Sequence, residues 1–290
     1  MAVVLVTGAG GALGGATVRL LAERGHRVVA CGRRRSPATP AAWDVARMAA
    51  PRLAAGTPAP QVVVHAAAAT GGYGAAADVA TLLATNFEGS RRVGRWCREA
   101  GVEHLVLISG ALVYGCWERP RREEDRPRPW RAGFYAVSKW LGELAVAGLE
   151  GPGTSILRLS SLYGAAYDDG LPQRLLRRGR RRGEIAVDHP PDDAFDLLHL
   201  RDAARTVAAA VERRRPGTWN AGGGGLVTVA ELAAGIARHL GCPVVHRPAA
   251  EPRRRRILNW VDDRRARTEL GHRNAVSLDA GLAEIVAGGC

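Results

Sequence analysis

Residues 2–7 form a short, valine-rich apolar run with no polar interruption, which predicts a strand buried on both faces of a parallel sheet. A glycine-rich turn follows, and over 12–23 the apolar positions recur at helical spacing until Gly25 breaks them. A second strand resumes over 27–31, so the N-terminal stretch reads as a β-turn-α-β unit. Strands over 61–66, 104–109 and 154–159 alternate with helices over 77–100 and 134–149. This alternation predicts an α/β fold built on a doubly wound parallel sheet.

After Gly164 the pattern loosens through Asp168-Asp169-Gly170, an arginine-rich helical stretch and the acidic, proline-containing run 188–193. Regularity returns as a strand over 197–200, a helix over 201–212 and a helix over 228–240, which Thr228 and Glu231 open in capping-box spacing. The expected organisation is a Rossmann dinucleotide-binding domain of residues 1–160, rejoined by 196–215. Residues 161–195 and 216–290 then form a smaller, discontinuous C-terminal substrate-binding lobe. No internal repeat or long linker divides the chain.

Composition narrows the function classes. The chain has 290 residues, 47% of them hydrophobic, enough for a sizeable core and too apolar for disorder. Its five cysteines form no CxxC pair and no zinc spacing, so reduced thiols and no metal are expected. No apolar run approaches the roughly 20 residues that span a bilayer, and no basic leader precedes the first strand; a cytoplasmic protein without a membrane partner is expected. The formal charge is +13, but the basic residues fall into separated clusters at 33–35, 177–182, 213–215 and 253–256. Nucleic-acid binding calls for one continuous basic face with aromatic platforms, so no nucleic acid is expected as a partner. Scattered arginines suit a small anionic substrate. Lys139 is the single lysine among 41 basic residues, which suggests a position that needs a compact ammonium.

Two constellations carry chemistry. Gly8, Gly11 and Gly14, with Ala12 and Leu13 between the last two, lie between the first strand and the first helix. Glycine there permits positive φ and close approach of a pyrophosphate to the helix N-terminus; the competing reading is a turn with a structural role only. The second strand ends in Arg33 and Arg34 with no carboxylate where an NAD-specific protein holds the ribose diol, so NADP(H) is favoured over NAD(H). A solvated basic loop is the alternative. Tyr135 and Lys139 stand four residues apart at the start of a helix and share a face. An ammonium beside a phenol favours phenolate, which makes Tyr135 the candidate proton-exchanging group.

Further motifs accompany these: Trp43-Asp44-Val45, Val64-His65-Ala66-Ala67 with Ala68, Asn86, Ser109-Gly110-Ala111-Leu112-Val113-Tyr114-Gly115, Leu157-Arg158-Leu159, Tyr163-Gly164, Leu198-His199-Leu200, Trp219-Asn220-Ala221-Gly222 and Arg267-Thr268-Glu269-Leu270-Gly271. With them the chain resembles, over nearly its full length, the extended short-chain dehydrogenase/reductases of the NAD-dependent epimerase/dehydratase family. The resemblance implies that Asp44 and Val45 contact adenine. It places Ala66, Ala67, Ala68 and Ser109 along the cofactor, and Gly110, Ala111 and Phe195 at the substrate. It also implies a homodimer packed through the helices over 77–100 and 134–149.

The departures from that pattern bear on the reaction. The family carries a Ser or Thr where this chain has Gly110, and loss of one such donor typically costs about 10²–10³ in rate. Ser109 is expected to point away; a shifted backbone, a water, Thr70 or the substrate itself are the candidate replacements. Ala111 and Leu112 replace the Asp-Glu pair of the sugar-nucleotide dehydratases, which disfavours dehydration. Phe195 replaces the diphosphate-binding arginine of the epimerases, a charge that Arg253 to Arg256 could restore, while an aromatic there also suits a flatter substrate. His65 and His199 are expected to satisfy backbone hydrogen bonds, and Tyr114 and Tyr163 to serve packing or a pocket wall. The leading expectation is reduction of a ketone, ahead of epimerisation, on a nucleotide-linked deoxysugar. The alternatives are a ketoreductase of a non-sugar secondary metabolite such as an aromatic polyketide, and an NADP-binding sensor or scaffold without turnover.

Overall fold

The computed structural model describes residues 1–290 apart from 71–77, 116–118, 169, 188–189, 191–192, 248–257 and 289–290, and only the backbone of Leu258. Ala77, Asp169, most of the acidic run 188–193 and the arginines 253–256 therefore lie outside the described residues.

The five strands expected over 2–159, and two more, build the large sheet: β1 (Val3–Thr7), β2 (Arg27–Gly32), β3 (Ala41–Ala42), β4 (Val62–His65), β5 (His104–Gly110), β6 (Gly153–Leu159) and, further on, Gly217–Ala221. All pairings within it are parallel. Every β1 residue but Val3 is buried, and successive side chains enter opposite cores. Val4 and Val6 pack with Val62 and Val64 on one face, Leu5 with Val63 on the other. Helices cover both faces. α1 (Ala12–Glu23) and the later helix Leu200–Arg213 close the first; α3 (Glu88–Glu99) and α4 (Phe134–Ala147) close the second.

The helix expected over 77–100 is three segments in series: α2 (Val79–Leu82), a π turn at Leu83–Phe87, then α3. Such wide turns often occur at functional sites. Here the turn lets Ser90 Oγ donate to the Asn86 carbonyl at 2.6 Å, and brings α4 so close that a Cβ on Gly142 would lie 2.5 Å from that oxygen.

The lobe holds β7 (Ser161–Tyr163), α5 (Leu171–Arg182), β8 (Ile185–Val187) and β9 (Ala194–His199), and α6 (Leu200–Arg213) then returns to the large sheet. There β10 (Gly217–Ala221) pairs with β6 as the outermost strand, giving the order β10-β6-β5-β4-β1-β2-β3. Residues 217–221 thus belong with the dinucleotide domain rather than the lobe. The strand expected over 197–200 is β9, and it lies in the lobe's small sheet, flanked by β11 (Leu226–Thr228), by β13 (Leu258–Asn259) and by β7. Between β11 and β13, α7 (Val229–Leu240) begins with both halves of the Thr228/Glu231 capping box in place, and β12 (Val244–His246) pairs with β8. α8 (Arg264–Leu270) and α9 (Leu278–Ala287) end the chain's described structure. The strand order reverses between β1 and β4, and in open sheets of this type the crevice beyond the strands' C-terminal ends at that point is where ligands sit.

Candidate active site

The glycine turn crosses that crevice. Gly8 has φ +67°, and a Cβ on it would lie 2.7 Å from the Ala67 backbone; a Cβ on Gly14 would lie 2.2 Å from the Gly8 carbonyl oxygen. Glycine at these two positions lets β1, β4 and α1 converge, and the Gly11 N–H closes the turn on the Gly8 carbonyl at 2.9 Å. No side chain caps α1, so the first-turn N–H groups at Ala12, Leu13 and Gly14 have no partner within the helix. Bare backbone facing a helix N-terminus fits a dinucleotide's pyrophosphate. Behind the turn, Thr7 Oγ1 meets His65 Nδ1 at 2.8 Å and accepts the Ala67 N–H at 3.2 Å, which ties β1 to the start of the 66–70 segment. Burial, with Lys139 adding to it, pushes His65 down to about 3, so it is a neutral structural group.

At the end of β2, Arg33 and Arg34 are exposed and form no ion pair among the described residues. Thr39 Oγ1 donates to the Arg34 carbonyl at 3.1 Å and shares a 2.7 Å hydrogen bond with Ser36, which fixes this turn. Asp44 follows β3 and accepts the Ala46 N–H at 3.2 Å, while Val45 is buried against Gly89.

Asn86, in the π turn, clamps the third segment of the site. Its amide accepts from Ala69 N at 2.8 Å and donates to the Ala69 carbonyl at 2.9 Å and to Ser138 Oγ at 2.9 Å. The 66–70 segment and α4 are therefore held by one side chain. On α4, Lys139 is buried and donates to the Ile108 carbonyl at 2.6 Å, at the end of β5. Burial pulls its ammonium down to about 8, opposed by the charge of Glu143 one turn on. Tyr135 is half-buried one turn earlier. The depressed phenol expected from the Tyr135/Lys139 spacing is not what the polypeptide gives: burial, and then Tyr167, push the Tyr135 phenol above its ordinary value. Lys139 gives one of its three ammonium N–H bonds to the backbone, and the other two form no hydrogen bond among the described residues.

Three expected contacts fall elsewhere. The Ser109 side chain turns away from the cofactor into the core beneath α4, donating to Glu143 Oε1 at 2.5 Å. Ala111 is buried in the short 3-10 turn 111–114 with Val113, Tyr114 and Val261, so its side chain is packing and not pocket lining. Phe195 packs into the lobe core among Tyr163, Leu175 and Leu232, because alternate residues of β9 face that core; it therefore carries no argument about substrate shape. His199 caps α6, accepting the Arg201 N–H at 3.2 Å, and stacks edge-on against Tyr163.

The sequence reading missed a buried polar network at the base of the site. Arg158 on β6 reaches both Glu143 oxygens, at 2.7 and 3.1 Å, and donates to Tyr114 Oη at 2.6 Å; Tyr114 in turn donates to Asn220 Oδ1 at 2.9 Å. Its signal was available, since Glu143 stands four residues past Lys139 on the same helix face. Asp196 was missed too. It is fully buried on the face of β9 opposite Phe195, accepts the Gly223 N–H at 2.5 Å, and burial pushes its carboxyl up to about 7.

The parallel sheet, the glycine turn at its switch point and the Tyr135/Lys139 pair on α4 define an enzyme of the extended short-chain dehydrogenase/reductase class. Within that class the chain belongs to the RmlD substrate binding domain family, whose model matches residues 1–259. It is 33% identical over 183 residues to the probable dTDP-4,6-dihydroxy-2-methyloxan-3-one 4-ketoreductase of Streptomyces antibioticus, a match covering 63% of this chain and 59% of that protein. It is 28% identical over 232 residues to the 2-alkyl-3-oxoalkanoate reductase of Stenotrophomonas maltophilia, covering 76% of this chain and 68% of that one. Among solved structures, MoeE5 in complex with UDP-glucose and NAD superposes with a TM-score of 0.82 at 26% identity, covering 98% and 97% of the two chains. No helix among the described residues is long and apolar enough to cross a membrane.

Proposed function

We propose that the chain is an NADP(H)-dependent ketoreductase acting on a nucleotide-linked deoxysugar, with Tyr135 giving the proton to the carbonyl oxygen. The observation that carries this is the position of α4. Asn86 bonds to Ser138 and Lys139 bonds to Ile108, which ties α4, the helix that carries Tyr135, to the 66–70 segment and to the end of β5. When bound, a nicotinamide supplies hydride. The chain's own residues do the rest: the α1 N-terminus holds the pyrophosphate, Lys139 holds the nicotinamide ribose, and Tyr135 moves the proton. The name of the Streptomyces relative and the nucleotide sugar bound to MoeE5 support the substrate class. Exposed Arg33 and Arg34, with no carboxylate at the end of β2, support NADP, although MoeE5 is seen with NAD. Ala111 and Leu112 disfavour dehydration, and nothing among the described residues provides for turning a ketone intermediate over, which ranks reduction above epimerisation.

A second reading, reduction of a non-sugar 3-keto compound, is favoured by the 2-alkyl-3-oxoalkanoate reductase relative. Purified protein is mixed with NADPH and a panel of dTDP- and UDP-linked keto-sugars and 3-oxoalkanoates, and loss of absorbance at the reduced nicotinamide band is followed. Oxidation by keto-sugars is expected. Activity confined to 3-oxoalkanoates selects the second reading, and tight NADPH binding without oxidation by any substrate selects a sensor.

A homodimer is part of the proposal. Phe134 and Leu144 are 65% and 52% exposed, and with half-buried Val137 and Leu141 they fall on one stripe of α4 at helical spacing. Sedimentation is expected to give a dimer for the native chain and a monomer for Leu144→Asp.

A further inference from the structure

We propose that the cleft between α1, α6 and α9 is a second ligand site, separate from the cofactor crevice, which takes a small molecule carrying an oxyanion on a flat apolar body. It stands independently of the reductase reading.

A cavity of about 330 Å³ opens there, at the low end of the range for small-molecule sites. Ala16 and Leu20 of α1 and Leu200 and Ala204 of α6 form an apolar wall where the two helices pack, and the turn after β7 adds Ala165 and Ala166. Neither the glycine turn nor Tyr135 or Lys139 lines this cavity.

His199, only 2% exposed, is the buried member of its lining. Its Nδ1 accepts the Arg201 N–H at 3.2 Å as the cap of α6, so the ring's proton sits on Nε2. Burial pushes the ring below its ordinary value, which keeps it neutral and leaves Nε2–H as its one donor. That donor is itself buried and has no hydrogen-bond partner. Glu284 Oε2 stands 3.6 Å away, beyond hydrogen-bond reach, and is taken up by Arg201. A buried donor without an acceptor destabilises the fold, and a ligand oxygen in the cleft relieves it.

The same cleft holds a cation without a counter-charge. Arg19 makes no hydrogen bond or ion pair among the described residues, and its guanidinium lies back along α1, with Nη1 3.7 Å from where a Cβ on Gly15 would be. The other two arginines of the lining are already matched, Arg201 by Glu284 and Arg205 by buried Asp202. Glu23 is exposed, where solvent screens its charge. An oxyanion that accepts from His199 Nε2 and pairs with Arg19 meets both demands. The alanine and leucine wall then favours an apolar body over a bare ion.

The test titrates the native chain by calorimetry with benzoate and phenyl phosphate, with and without NADPH. Benzyl alcohol and inorganic phosphate serve as probes that lack the charge or the ring. At least one of the two aromatic anions is expected to bind at one site per chain, about tenfold tighter than benzyl alcohol or inorganic phosphate, and which of them binds tells carboxylate from phosphate. Arg19→Gln is expected to weaken that binding about tenfold, as is His199→Asn, which keeps a good cap for α6 while removing Nε2–H. Ala166→Trp is expected to abolish it by filling the cleft. Arg19 and Ala166 are exposed, so these two variants decide the outcome even if His199→Asn does not fold. No binding of either aromatic anion, equal affinity for benzyl alcohol or inorganic phosphate, displacement by NADPH, or native affinity in any of the folded variants would each overturn the proposal.

Discussion

Neutralising Glu143 perturbs both the stability of the site and its electrostatics, and the structure sets the size of each effect. Glu143 and Arg158 are 3% and 7% exposed, and the carboxylate accepts from Arg158 Nε at 3.1 Å, from its terminal nitrogen at 2.7 Å and from Ser109 Oγ at 2.5 Å. Burial works against the Arg158 charge, but Glu143 and then Tyr114 outweigh it and hold the guanidinium firmly protonated. Glu143→Gln keeps the volume while turning an NH2 group toward donors and leaving a buried cation without its counter-charge. Breaking one side of such a pair costs about 3–5 kcal/mol, a large share of the roughly 5–15 kcal/mol that stabilises a typical domain. The urea midpoint is expected to fall by roughly 1–2 M.

The same substitution reaches Lys139. Burial pulls that ammonium to about 8 from an ordinary 10.5, and Glu143 is the charge resisting the pull. Without it Lys139 loses its proton at lower pH, so the alkaline limb of kcat/KM is expected to move downward. The stability linkage has a definite sign. The folded value lies below the unfolded one, so the charged amine costs stability below about pH 8, and the cost is relieved as pH climbs from 8 to 10.5. In Glu143→Gln the relief starts earlier. A variant with the native urea midpoint would refute the buried-pair argument, and one with an unmoved alkaline limb would show that Glu143 does not act on Lys139.

Three other perturbations are open to measurement. Burial raises the Asp196 carboxyl to about 7 from 3.8, so the stability tied to its proton is present below pH 4 and lost as pH rises through 7. Asp196→Asn is expected to flatten the stability-pH curve over that window and to gain on the order of 2–4 kcal/mol at pH 8, read by chemical denaturation; a native-shaped curve would remove Asp196 from the account. Replacing Arg33 and Arg34 with alanine is expected to raise KM for NADPH about 10- to 100-fold more than for NADH, the worth of one charge-assisted contact to a 2′-phosphate; equal rises would defeat the NADP preference. In Gly14→Ala the Cβ would sit 2.2 Å from the Gly8 carbonyl oxygen, and because that oxygen is backbone and a Cβ is fixed to its own backbone, neither can yield cheaply. Loss of dinucleotide binding by fluorescence titration is expected, with a stability cost of about 1–3 kcal/mol; native affinity would mean that the turn does not hold the pyrophosphate.

The sheet was legible because its strands are two-sided: runs such as Val3 to Thr7 are apolar throughout, and glycine breaks separate them from helical periodicity. The cofactor turn was legible because position and residue type agree, with Gly8 and Gly14 standing where backbone must approach backbone. Side-chain direction was less accessible. Phe195 and Asp196 are adjacent on β9; the motif comparison marked Phe195 without saying which way it faces, and passed over Asp196 on the opposite face. The lobe boundary was hidden for a similar reason, since β9 and β10 look alike as short strands although one pairs in the small sheet and the other extends the large one.

The end of β5 shows why Ser109 does not stand in for a hydroxyl at position 110. Adjacent residues of a strand face opposite ways, so Ser109 cannot cover for Gly110 without giving up Glu143, and through it the charge that steadies both Lys139 and Arg158.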